Sequence, residues 1–310
     1  MSSPLPDSCP RCEAPRAAGP ECPRCGVLYA RARPRPAAPP TDTEPEPAWA
    51  LRPPTPAWEG ELEAQRWELG VRALALPVAL LLAFLVQGTQ LGRSLVRIFF
   101  GMWLHELGHA VTAWLCGFSA VPGFWFTSIA DERSVVVSLV IAAALAYAGW
   151  RLWRAHGPLS AAPLGVLLLV QAVCTLGLSA SRAQGLILFG GDAGDLVLGS
   201  LLMATLYAPE ASRLRTASLR WGFLAIGAFG FMDAAEQWWA AVRDPERIPY
   251  GLQEGVGLSD PSRLTEDLGW TQGALVGRYV TLSGVCLAAL ALLYVWGLAQ
   301  QRRRVASTGR

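Results

Sequence analysis

With 310 residues, 52% of them hydrophobic and only 16% charged, the chain falls short of the roughly one-quarter charged residues of a soluble domain, and its mean hydropathy is +0.32. That balance excludes an ordinary soluble protein and points to a membrane protein. A net charge of +2 is too small for a nucleic-acid footprint, so no nucleic-acid partner is expected.

Residues 9–25 read CPRCEAPRAAGPECPRC, two C-x-x-C knuckles separated by nine residues. Cys9, Cys12, Cys22 and Cys25 would put four thiolates at the corners of a tetrahedron, which suits one structural Zn²⁺ in a ribbon over residues 1–30. A disulfide pair or a redox motif competes with this reading. The clean duplication, and the lack of any apolar run in the first 70 residues that would serve as an export signal, favour zinc. Metal would supply folding energy that so short a segment lacks. With four protein ligands it leaves no open position for chemistry.

Residues 31–57 hold nine prolines and read as an extended linker. Residues 58–70, WEGELEAQRWELG, read as a short interfacial helix or a solvated spacer. A membrane domain is expected over 71–300 and a basic tail over 301–310. Apolar runs of spanning length lie at about 72–89, 94–116, 134–150, 160–179, 185–207, 219–240 and 275–298. The expected fold is therefore an all-α polytopic membrane protein of about 6–8 transmembrane helices, carrying a small amino-terminal zinc ribbon.

The arginines near 151–154, 213–220 and 302–304 should share the cytosolic side, and the acidic loop 241–273 should face away from it. The first apolar segment would act as an uncleaved anchor, with the amino terminus in the cytosol and the chain in a bacterial inner (plasma) membrane. Seven simple crossings contradict that arrangement by one. An extra crossing or a re-entrant turn is expected before residue 134, with FSAVPGFWFTSIA (118–130) as its candidate.

Inside the second apolar run sits GMWLHELGHAVTAWLCG, residues 101–117. His105 and His109 are four apart, so a helix stacks them on one face where both reach one metal ion. Glu106, beside the first ligand, is placed to take a proton from a metal-bound water and return it to the leaving nitrogen. Two of the chain's three histidines fall in this motif. A carboxylate at membrane depth is costly and is placed there for a reason. The bland alternative is a polar, hydrogen-bonded helix contact.

HELGHAVTAWLCG closely resembles the active-site helix of the site-2 protease family of intramembrane zinc metalloproteases, whose pattern is H-E-x-G-H followed by small and apolar residues and a glycine. Gly108 and Gly117 fit it. The resemblance implies a zinc metalloendopeptidase with one catalytic Zn²⁺, cleaving a membrane-protein substrate within or near the bilayer by Glu-assisted attack of zinc-bound water. The family supplies its third ligand as an Asp on a later helix, in a short motif ending Asp-Gly. This chain has no clean copy of that motif. Asp192 in LILFGGDAGDLVLGS is the expected ligand, with Asp195 as the alternative; either could instead hold a histidine in the right tautomer. Gly190, Gly191 and Gly194 would let helices approach closely there. Asp233 and Glu236 read as solvated near an interface, and Cys116, Cys174 and Cys286 as small buried residues.

Two other functions compete: a membrane scaffold or receptor with little turnover, using the ribbon as a cytosolic module for a regulator, and, more weakly, a metal transporter. The latter leaves Glu106 beside His105 unexplained.

Overall fold

The computed structural model describes residues 8–9, 11–12, 14–15, 17–29, 57–210, 212–253 and 257–308, with the side chains of all but 57–59 and 253. Contacts divide the chain into two units, Met1–Thr55 and Pro56–Arg310. The proline-rich stretch 31–57 lies outside the described residues, except for residue 57.

In the first unit, two antiparallel bridges, Ser8↔Pro15 and Glu21↔Leu28, each close a turn around one C-x-x-C. The Cys9 amide donates to the Ala14 carbonyl (2.8 Å), and the Cys22 amide to that of Val27 (3.0 Å). Gly26 follows the second knuckle with φ of 72°, a conformation that costs glycine little.

The second unit is mostly helical. Its elements are α1 (Ala57–Gln87), α2 (Gln90–Val96), a wide turn at Arg97–Gly101, α3 (Met102–Leu115), β1 (Phe118–Pro122), β2 (Thr127–Arg133), α4 (Val135–His156), α5 (Pro158–Ala172), α6 (Ala180–Ala204), α7 (Arg213–Thr216), α8 (Leu219–Ala241), β3 (Leu252–Gln253), β4 (Gly257–Leu258), α9 (Asp260–Glu266) and α10 (Gln272–Thr308). Local chemistry sets the starts. Thr89, Ser134 and Ser179 accept the Gly92, Val137 and Arg182 amides as helix caps, and Gly157-Pro158 separates α4 from α5. The all-α expectation is revised by two antiparallel hairpins, β1–β2 and β3–β4. Residues 58–70 form no separate helix; they are the first half of α1.

Among the described residues, five helices are long and apolar enough to cross a membrane: Gly60–Gln87, Val135–His156, Pro158–Gly177, Ala180–Tyr207 and Gln272–Thr308. Among them α4 fully buries none of its residues; away from its packing on α5, its apolar surface looks outward, as suits lipid and not water.

Side-chain bonds fix the direction of each helix. At one end of the bundle Glu68 of α1 binds Arg220 of α8, and Arg72 reaches the Gly297 carbonyl of α10. At the other, Thr175 donates to the Leu115 carbonyl, and Arg133 donates to those of Cys116 and Leu178. Helix α3 therefore runs antiparallel to α6 and in the same direction as α1. The reason two consecutive helices are parallel is visible at Asp233. Gln87, the last residue of α1, and Arg97, just before α3, both bind it, at 3.0 and 3.1 Å. Helix α3 thus starts at the depth where α1 stops. Gln301 of α10 donates to the Gln65 carbonyl of α1, so the start of α1 and the finish of α10 lie at the same end of the bundle. The segment expected to supply the extra crossing or re-entrant turn is 118–130. That segment is a hairpin that folds back along α3, with Thr127 bonded to Glu106 and the Trp114 indole to the Ala120 carbonyl.

The central helix is α6, against which α3 and α8 pack through glycines. A Cβ on Gly108 would strike the Gly190 carbonyl and stand 2.7 Å from the Gly194 Cα, backbone that cannot yield. Gly108→Ala is expected to destabilise the bundle by about 1–3 kcal/mol, as overpacking does. Gly222→Ala, where nothing lies within 4 Å, should be neutral or mildly stabilising. Thermal melts of the two variants in detergent check the contrast; equal melting points would show that the α3–α6 approach is not tight.

Candidate metal centre

The α3–α6 approach positions the imidazoles. His105 and His109 sit on the face of α3 turned to α6, and a Cβ on Gly191 would stand 2.7 Å from the Nε2 of both, so a larger residue there would displace them. Their outer nitrogens are committed. His109 Nδ1 lies 2.8 Å from the Ile187 carbonyl, which only accepts, so that nitrogen carries the proton. His105 Nδ1 lies 2.9 Å from Asp192 Oδ1, and Asp192 Oδ2 accepts from the Trp238 indole at 2.8 Å. Trp238 is locked in a stack with Tyr279, centroids 4.1 Å apart, which ties α8 and α10 to the same carboxylate.

Both Nε2 atoms then point lone pairs inward. They are 3.2 Å apart, and Asp260 Oδ2 lies 3.2 Å from His105 Nε2 and 3.0 Å from His109 Nε2. Three electron-rich atoms facing one another repel unless a metal ion or a proton sits between them. The spacing fits a metal: donors about 2.0–2.1 Å from one tetrahedral ion stand about 3.3 Å apart. His105, His109 and Asp260 can hold a metal ion.

The structure does not bring Asp192 or Asp195 to that point: both face the other side of the His105 ring, where with His105 they form a second group that could hold a metal ion, without His109. Asp192 sits behind His105, satisfied by the ring nitrogen, by Trp238, and by Arg97 at 3.6 Å. This is the orienting role that sequence left open for it. Asp195 is fully buried, 3.8 Å from His105 Nδ1 and 3.9 Å from Arg97. Asp233 is corrected: it is buried and pairs with Arg97 and Gln87, not with solvent. Glu236 lies 3.6 Å from Arg247. Cys116, Cys174 and Cys286 are free and buried.

Sequence reasoning passed over Asp260 because it stands in the polar, acidic loop 241–273, outside every apolar run. The local signal was only that of a helix start, Ser259-Asp260-Pro261, with the Ser259 side chain accepting the Ser262 amide.

Glu106 is buried in the same place, its Oε2 accepting from Thr127 Oγ1 at 2.8 Å. It shares with His105, His109 and Asp260 a cavity of about 90 Å³, roofed by Trp125 and Phe126 from the hairpin tip. This is room for a few waters. A larger cavity of about 380 Å³ adjoins it between β2 and α6, sharing Thr127, Ile129, Ile187, Leu188 and Arg263 with the first.

In the first unit, Cys9 Sγ lies 3.7 Å from Cys25 Sγ, and Cys12 Sγ 3.7 Å from Cys22 Sγ; none of the four is in a disulfide. Sulfurs about 2.3 Å from one tetrahedral ion stand about 3.8 Å apart. The four can hold a metal ion. Cys22→Ser is expected to cost one bound metal per chain and to unfold the ribbon, while metal in the second unit stays. Elemental analysis checks this, and an unchanged total would remove the ribbon's metal.

No protein-family model, curated protein or solved structure matches the chain.

Proposed function

We propose that the second unit is a zinc-dependent intramembrane endopeptidase of the site-2 protease type. The observation that carries this is the triangle of His105 Nε2, His109 Nε2 and Asp260 Oδ2 closed on one point, with Glu106 in the same cavity. Bound there, zinc would acidify water and polarise a peptide carbonyl. The chain's own residues do the rest. Asp192 and the Ile187 carbonyl keep both Nδ1 atoms protonated, so both Nε2 lone pairs face the ion. Glu106, its second oxygen fixed by Thr127, takes the water's proton and returns it to the leaving nitrogen. Strand β2 pairs on one side with β1. Its other edge offers backbone groups to an unwound substrate segment as an added strand. The adjoining cavity then takes the substrate's side chains. Trp125 and Phe126 keep bulk water out.

The arginine-rich end, with Arg215 and Arg220 around Glu68, is the cytosolic one under this reading. The amino terminus is then cytosolic, and the ribbon recruits a substrate tail or a regulator. Unchanged cleavage and partner binding after deletion of residues 1–57 would end that role. The central test is direct. The purified chain, in liposomes with single-span reporter peptides, should cleave within or beside the span, stop with a zinc chelator and recover with added zinc. Metal uptake into the liposomes without cleavage would replace this reading with a transporter.

A further inference from the structure

We infer that Arg263 is a further catalytic residue, the group that receives the negative charge of the substrate's carbonyl oxygen; this rests on the peptidase reading above. Helix α9 carries Asp260 and Arg263 three residues apart, hence on one face. Arg263 lines both the metal cavity and the larger cavity beside it, so it stands where the two join. It is the one cationic side chain lining either, among the described residues.

The other inward-turned arginines are committed. Arg97 is held by Asp233, Arg72 and Arg220 by Glu68, and Arg133 by the carbonyls of Cys116 and Leu178. Arg263 is not. Its nearest carboxylate among the described residues is Asp267, 3.9 Å from Nε, and its side chain is 39% exposed. Its backbone, in contrast, is fixed. The Ser259 amide donates to the Gly251 carbonyl (2.8 Å), the Gly251 amide to Ser262 Oγ (2.9 Å), and Leu264 is fully buried. A guanidinium held only by a long, exposed ion pair to Asp267, on an anchored helix beside a base and a metal position, is a preorganised donor for charge that appears only during reaction.

The step balances. Water oxygen bonds to the carbonyl carbon as Glu106 takes the water's proton, and the carbonyl π pair moves onto oxygen, where Arg263 N–H groups donate. That pair then returns, the C–N bond breaks with its electrons on nitrogen, and Glu106 delivers the proton there.

The test uses the full chain in liposomes, with Arg263→Gln and Arg263→Lys, a cleavable reporter and a peptide phosphonamidate as the charged mimic. Expected for Arg263→Gln are a kcat lower by about 10²–10³-fold, KM within about threefold, unchanged zinc content and phosphonamidate affinity falling about as far as kcat. Reporter affinity on a Glu106→Gln background should hold, Arg263→Lys should keep part of the rate, and dissolved guanidinium should restore part of it to Arg263→Gln. A raised KM with kcat intact, or undiminished phosphonamidate affinity, would overturn the role and leave the peptidase standing. A wild-type chain that neither cleaves nor binds the mimic would overturn both.

Discussion

Glu106→Gln should abolish measurable peptide hydrolysis, lowering kcat by about 10²–10⁴-fold, while zinc content stays at the wild-type level. The substitution keeps the side chain's shape and an acceptor for Thr127 Oγ1, which now bonds Oε2 at 2.8 Å. What it removes is basicity. Glu106 is no part of the donor triangle, whose three atoms belong to His105, His109 and Asp260, so metal should be indifferent to the change. Reporter cleavage and elemental analysis of the same preparation separate the two effects. Turnover that survives would rule out Glu106 as the base and return the chain to the scaffold reading, in which this carboxylate is only a buried partner for the hairpin.

Asp260→Ala is expected to empty the second unit of metal, whereas Asp192→Asn should retain it with affinity lower by about 10–100-fold. The difference lies in which side of the His105 ring each acid occupies. Asp260 meets both Nε2 atoms, at 3.2 and 3.0 Å; Asp192 meets only Nδ1, at 2.9 Å. Asparagine at 192 still accepts from Nδ1–H but no longer balances Arg97, so the ring keeps its tautomer in a less favourable field. Both variants belong on a Cys22→Ser background, so that zinc reports a single site. Metal loss in the Asp192 variant and retention in the Asp260 variant would reverse the assignment and restore the ligand that sequence suggested.

Much of the molecule was legible residue by residue. The two C-x-x-C knuckles, the apolar runs and the H-E-x-x-H spacing are local patterns: a helix puts residues four apart on one face whatever surrounds it. The glycines at 190, 191 and 194 announced a close helix approach, because only a missing side chain admits another backbone. Asp260 carried no such mark. An acid in a polar loop is ordinary, and sequence weighs the improbable acids inside apolar helices more heavily. Those acids, Asp192, Asp195 and Asp233, surround Arg97 behind the metal position.

The sequence by itself determined the helices, the cysteine cluster and the pair of imidazoles, since each follows from short-range spacing and side-chain chemistry. Tertiary structure alone decided that α3 starts at the depth where α1 stops and runs in the same direction, that 118–133 folds back as a hairpin, and that the third inward-facing donor comes from α9. These depend on contacts across long separations, such as Gln87 with Asp233 and His109 with Asp260, whose partners are chosen by how the bundle closes around α6.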